Sequence, residues 1–207
     1  WDPHEPWDPP AYYTRHYLPD YAGERVHPPY GDCKKPGMTD RDIAVARALY
    51  SGELELVDRW IGHLLDQLAY LGIEDSTAII FVSDHGFLLG EHGLMGKMVR
   101  RAPGEATWMR SPLYEEIAKV PLLIHVPGTK PGRTSKLACA LDLAPTICDM
   151  AGLARLPEMQ GLSLLPAVRG EAFAGRDHVL TALPLANPGE SVEVVDDLMR
   201  TVVEWQP

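Results

Sequence analysis

The chain has 207 residues, of which 45% are hydrophobic and 23% charged, and carries a formal charge of −10. That length suits one sizeable α/β domain and excludes two full ones. An acidic chain without a basic stripe excludes general affinity for nucleic acid, and no apolar run nears the roughly 20 residues of a membrane helix.

In chain order, residues 1–38 come first, rich in Pro, Tyr, His and Asp. They read as irregular chain that belongs to the domain and lies over a surface. The chain opens on Trp1-Asp2-Pro3 with no initiator Met, so the expected N-terminus lies elsewhere and the upstream neighbour of this segment is missing. Thr39 to Asp42 forms a capping-box pattern, with Asp in place of the usual longer acid. Ala46, Tyr50, Leu54, Val57, Ile61, Leu64 and Leu68 then recur at steps of three and four, which predicts one long helix with a buried face, ended by Gly72. Residues 77–82 and 120–126 are short apolar runs of the buried-strand kind. Between them lies a long loop, 83–113, with five glycines. A helix is predicted at 143–151, with Asp142 as its N-cap, Pro145 in its first turn and Gly152 at its end. Strands are expected at 179–183 and 199–203.

This order predicts a layered α/β fold with a mostly parallel sheet flanked by helices, strands 77–82 and 120–126 running parallel and the long helix on one face. The expected division is the segment 1–38, a core over 39–175 and a C-terminal extension, 176–207, that is itself cut short. Cys33, Cys139 and Cys148 are an odd number at irregular spacing, which is no disulfide framework and no zinc site. Cys139 and Cys148 sit among apolar residues and are expected to be buried.

The chemistry gathers after the first strand. Ligands of open α/β sheets bind outside the carboxyl ends of strands, and Asp84 and His85 stand at that end of 77–82. A carboxylate and an imidazole there suit metal binding; a capped turn with an incidental His is the plainer alternative. The surrounding residues favour the first. Ser83-Asp84-His85-Gly86, continuing through Gly90-Glu91-His92-Gly93 to Gly96-Lys97, resembles the metal-binding segment of the sulfatase family, within the alkaline phosphatase superfamily. Leu113 to Glu116 running into Val120 to Gly128, Leu141 to Thr146, Gly161 to Pro166, the helix from Tyr50 to Gly62, and Pro3-His4-Glu5-Pro6 resemble family elements too, in the same order, over residues 2 to about 170.

The resemblance implies a sulfuric ester hydrolase of alkaline-phosphatase-like fold. It implies that Asp84 and His85 are metal ligands, and that Lys97 and His4 contact the bridging ester oxygen. The metal is expected to be calcium, with manganese the alternative. Arg100, Arg101 and Arg110 are the local candidates for contacts with the leaving group. His92 reads as a structural residue of a tight loop beside the site, and Glu115 and Glu116 as helix-start residues. The family's nucleophile, a formylglycine made from Cys or Ser in a Cys-x-Pro-x-Arg or Ser-x-Pro-x-Arg motif, has no match. Thr129-Lys-Pro131-Gly-Arg133 comes near, but lies far downstream and reads as a surface turn. The chain is therefore expected to be the C-terminal part of an enzyme, inactive alone, with its core incomplete or covered by self-association. The expected substrate is a small sulfate ester. A phosphonate monoester or phosphodiester hydrolase of the same superfamily is the alternative, and a non-catalytic binding or assembly protein is the alternative of another class.

Overall fold

The structure is a computed structural model and describes residues 2–26, 31–32, 38–100, 108–110, 112–182 and 200–203. Its elements are α1 (Ala11–Tyr17), β1 (Gly31–Asp32), α2 (Asp40–Tyr70), β2 (Ile79–Val82), β3 (Leu88–Leu89), β4 (Leu94–Gly96), β5 (Met98–Arg100), β6 (Trp108–Arg110), α3 (Glu115–Ala118), β7 (Leu122–His125), α4 (Leu143–Ala151), α5 (Leu165–Val168), β8 (Val179–Ala182) and β9 (Arg200–Val203). The chain forms two compact units, each discontinuous in sequence: Trp1–Glu74 with Ser83–Val120, and Asp75–Val82 with Pro121–Pro207.

The first unit is built on α2. Thr39 Oγ1 accepts from the Asp42 N–H, and the Asp42 carboxylate accepts from the Thr39 N–H at 2.7 Å, so the capping box forms with the shorter acid. The buried residues of α2 are Val45, Ala46, Ala48, Leu49, Gly52 and Glu53, all in its first half. Of these, Val45, Ala46 and Leu49 pack with Trp7, Tyr21, Phe87 and Met95 into one core. The predicted stripe is corrected in its second half. Leu54 and Leu64 are 44% and 61% exposed, and Val57, Ile61 and Leu68 are only half-buried. The period of a helix says which residues share a face, and it does not say where along the axis that face is covered.

The N-terminal segment is also more regular than its composition suggests. It contains α1, whose Tyr13 and Thr14 are buried. Gly52 allows α1 to come close, because a Cβ there would stand 3.0 Å from Pro9 Cγ and 3.2 Å from the Thr14 nitrogen. The expected loop after residue 83 holds β3 and β4, an antiparallel hairpin with β1 added beside β4, followed by the antiparallel pair β5–β6.

In the second unit, β2 and β7 pair antiparallel, Ile79 opposite His125 and Val82 opposite Leu122. This corrects the expected parallel pairing. Short apolar runs carry a pleat but no direction, and every strand pairing among the described residues is antiparallel. Phe81 and Leu123 are 41% and 60% exposed, so these are not fully buried strands.

Asp142 precedes α4 but makes no N-cap hydrogen bond. Its carboxylate, fully buried, instead accepts from the N–H groups of Cys139 and Leu162 at 2.9 and 2.6 Å and is paired with Arg176. Gly152 ends α4 in the left-handed region, at φ 65°. Cys139 and Cys148 are half-buried rather than buried. Among the described residues, no helix is long and apolar enough to cross a membrane.

Candidate active site

The segment Ser83–Gly86 is a turn held by its own side chains. Ser83 Oγ donates to the His85 carbonyl at 2.8 Å, and Asp84 Oδ1 accepts from the His85 N–H at 2.8 Å. Gly86 is pinned from the other side. Its N–H donates to the Ile117 carbonyl at 2.9 Å, and a Cβ on it would lie 1.9 Å from the Glu116 carbonyl oxygen.

Lys97 returns to this turn through the hairpin. Leu88 pairs with Gly96 and Leu89 with Met95, so the next step outward sets Lys97 beside Phe87. Its Nζ stands 5.3 Å from the centroid of the Phe87 ring. The hairpin turn needs left-handed backbone at Gly90, His92 and Gly93, with φ of 110°, 56° and 70°. The α2 side chain of Arg47 holds it, Nε donating to the Leu89 carbonyl at 2.5 Å.

Three candidate residues meet here. Lys97 Nζ is 2.8 Å from His4 Nε2 and 3.1 Å from His85 Nε2. Both rings turn their other nitrogen to a carbonyl. His4 Nδ1 lies 2.9 Å from the Glu5 oxygen, and His85 Nδ1 lies 3.1 Å from the Gly86 oxygen. A carbonyl only accepts, so Nδ1–H is the tautomer that satisfies each of these contacts, and that tautomer turns an Nε2 lone pair toward Lys97. Phe87, 8% exposed, is the floor under all three. Its ring packs edge-on against His4 at 6.2 Å and lies 5.7 Å from His85 and 5.6 Å from Trp7. Sequence reasoning passed over Phe87, and its only signal was an aromatic ring directly after Asp-His-Gly.

Asp84 points outward, its side chain 85% exposed, with Oδ2 3.6 Å from His85 Nε2. That spacing suits two ligands of one divalent ion, one hard oxygen and one imidazole nitrogen, and such an ion would take the Nε2 lone pair that faces Lys97 here. The pair fits two coordination positions; among the described residues no group of three or more His, Cys, Asp or Glu side chains gathers.

His92 does not reach this cluster in any contact described. Its ring stacks on Tyr114 at 3.7 Å, and its Nε2 lies 3.1 Å from the Glu116 carboxylate. The main-chain N–H of Glu116, and then His92, hold that carboxyl below its ordinary range. Glu115 and Glu116 open α3, as expected of helix-start residues. Arg100 and Arg110 fall on the paired strands β5 and β6 and face each other's strand as Arg100↔Trp108 and Met98↔Arg110. Arg101 and Cys33 lie outside the described residues. Thr129 is a turn residue whose Oγ1 donates to the Val126 carbonyl at 2.7 Å.

The Sulfatase family model matches residues 2–153, and the chain belongs to the sulfatase family. It is 34% identical over 136 residues to a choline-sulfatase of Rhizobium meliloti, covering 64% of this chain and 24% of that protein. It is 30% identical over 195 residues to an arylsulfatase of Clostridium perfringens, covering 86% and 38%. Among solved structures, the phosphonate monoester hydrolase of Silicibacter pomeroyi superposes with a TM-score of 0.63 at 29% identity, over 86% of this chain and 32% of that one. The chain thus spans about a quarter to two-fifths of the length of these relatives, and the part matched has an α/β fold in common with them.

Proposed function

We propose that the protein acts in the hydrolysis of small sulfate esters, with Lys97 and His4 at the ester oxygen and Asp84 and His85 on a divalent cation. The observation that carries this reading is the meeting of Lys97 Nζ with the Nε2 atoms of His4 and His85. Cleavage of a sulfate ester builds negative charge on the leaving oxygen. An ammonium 2.8 Å from an imidazole nitrogen offers a charge to that oxygen and a partner for proton transfer. Phe87 and Trp7 keep water from one side of the pair. A bound divalent cation, calcium or manganese, would supply Lewis acidity toward the sulfuryl group. The nucleophile is not supplied by this sequence, which has no Cys-x-Pro-x-Arg or Ser-x-Pro-x-Arg. Arg100, Arg101 and Arg110 remain candidates for the leaving-group side.

The likeness to a phosphonate monoester hydrolase supports a second reading, in which the ester is a phosphonate or phosphate diester. Turnover of an aryl sulfate against an aryl phosphonate monoester separates the two. It is measured on this chain and on any longer polypeptide that contains it. The 207-residue chain alone is expected to give only background rates. In a preparation that turns over, Lys97→Ala should lower kcat by about 10²–10³, the usual loss for one charge-stabilising group. Unchanged kcat would return Lys97 to the role of a loop residue.

A further inference from the structure

We infer that Glu5 is a positioning residue for His4, fixing the tautomer and aim of its ring. The inference rests on the proposed role of His4 and adds a group that the family motif leaves open. Glu5 stands between Pro3-His4 and Pro6, and its side chain is only 6% exposed. Its Oε2 is buried and has no hydrogen-bond partner. Taking a carboxylate out of water without compensation costs several kcal/mol in general, so a buried one is expected to answer a nearby proton or charge.

The neighbour is His4 Nδ1, 3.2 Å from Oε2. The same nitrogen lies 2.9 Å from the Glu5 main-chain oxygen. Two oxygens that only accept therefore flank one ring nitrogen. The tautomer with a bare Nδ1 would set its lone pair against both, and the tautomer with Nδ1–H satisfies them. Selection of Nδ1–H leaves Nε2 as an acceptor, and Nε2 is the atom 2.8 Å from Lys97 Nζ. The main-chain oxygen alone gives direction to the ring. The carboxylate adds a full negative charge on the same side, and the orphaned Oε2 has no other described use. A packing role would need none of this, since a Gln or Met of similar size fills the same space.

The test reads the ring nitrogens directly. Long-range proton–nitrogen NMR on the histidine-labelled full chain reports which nitrogen of His4 carries the proton when the ring is neutral. The parent is expected to show Nδ1–H as the dominant form. Glu5→Gln keeps the shape and removes the charge, and it should turn one dominant tautomer into a mixture, because its amide can offer N–H to Nδ1. Glu5→Asp keeps the carboxylate and should restore much of the Nδ1–H form. A parent dominated by Nε2–H, which needs no variant to observe, overturns the inference. So does a folded Glu5→Gln protein with unaltered tautomer populations. In a preparation that turns over, Glu5→Gln should lower kcat by at least about tenfold with KM nearly held. A longer polypeptide that contains this chain and fails to turn over would count against the sulfatase reading and leave the NMR result standing by itself.

Discussion

Gly86 shows how little freedom one position of the site retains. A Cβ there would sit 1.9 Å from the Glu116 carbonyl oxygen, a distance no real Cβ tolerates, and the obstacle is backbone. Gly86→Ala must therefore push the Ser83–Gly86 turn away from α3 or break the Gly86–Ile117 hydrogen bond. We expect a loss of stability on the order of 1–3 kcal/mol, the usual cost of overpacking. Chemical denaturation measures it, and a Tm and midpoint equal to the parent's would show that the close approach is not real. The candidate residues that meet at Lys97 could be picked out in the sequence because each carries a reactive group in a recognisable order: His4 between prolines, Asp84-His85 after a strand, Lys97 after Gly96. Phe87 and Glu5 were not. An aromatic ring and a lone acid have many uses, and only the hairpin register and the burial of Oε2 single them out.

At the scale of the element, α2 divides into a half that carries the core and a half that does not. Leu49, 1% exposed, packs among Trp7, Val45 and Phe87, whereas Leu64 is 61% exposed on the same helix. Leu49→Ala should cost about 2–5 kcal/mol, as buried leucines do. Leu64→Ala should stay within about 0.5 kcal/mol, as surface changes do. Urea midpoints of the two variants compare them side by side, and similar losses would mean that the second half of the helix is covered as well. The existence, length and cap of α2 were readable because period and capping are local properties of the sequence. Its burial was not, since covering depends on chain far away in sequence. The same limit explains β2 and β7. Their apolar runs were found within two residues of their true bounds, but their antiparallel pairing is a long-range fact that no run of Val, Leu and Ile encodes.

Across the whole molecule, the carboxylates set the response to acid. Hydrogen bonds from Arg41, together with main-chain N–H groups, hold Glu24 down to about 2, against an ordinary 4.5. Asp149 is held low chiefly by Arg155. At Asp142 burial pulls upward most strongly, but Arg176 and the N–H groups of Cys139 and Leu162 outweigh it, so its carboxyl too lies below its ordinary 3.8. Groups lowered on folding contribute stability above their unfolded values. That contribution falls away as pH drops through the folded ones. Glu53 acts in the opposite sense. Its burial raises its carboxyl, so it favours the fold most below about 4.5 and loses that advantage as pH rises through its raised value. Among these groups the lowered carboxylates outnumber the raised one. Stability is therefore expected to hold near neutrality and to decline below about pH 4, where the unfolded chain takes up protons that the folded one refuses. Arg176→Ala separates the Asp142 term from the rest. It leaves a buried carboxylate without its cation and should cost about 3–5 kcal/mol near pH 7. The deficit should shrink as pH falls below about 4, because protonation of Asp142 then relieves the unpaired charge. Thermal unfolding of parent and variant at stepped pH reads both curves. A constant gap between them down to pH 2 would mean that Arg176 stabilises by packing alone.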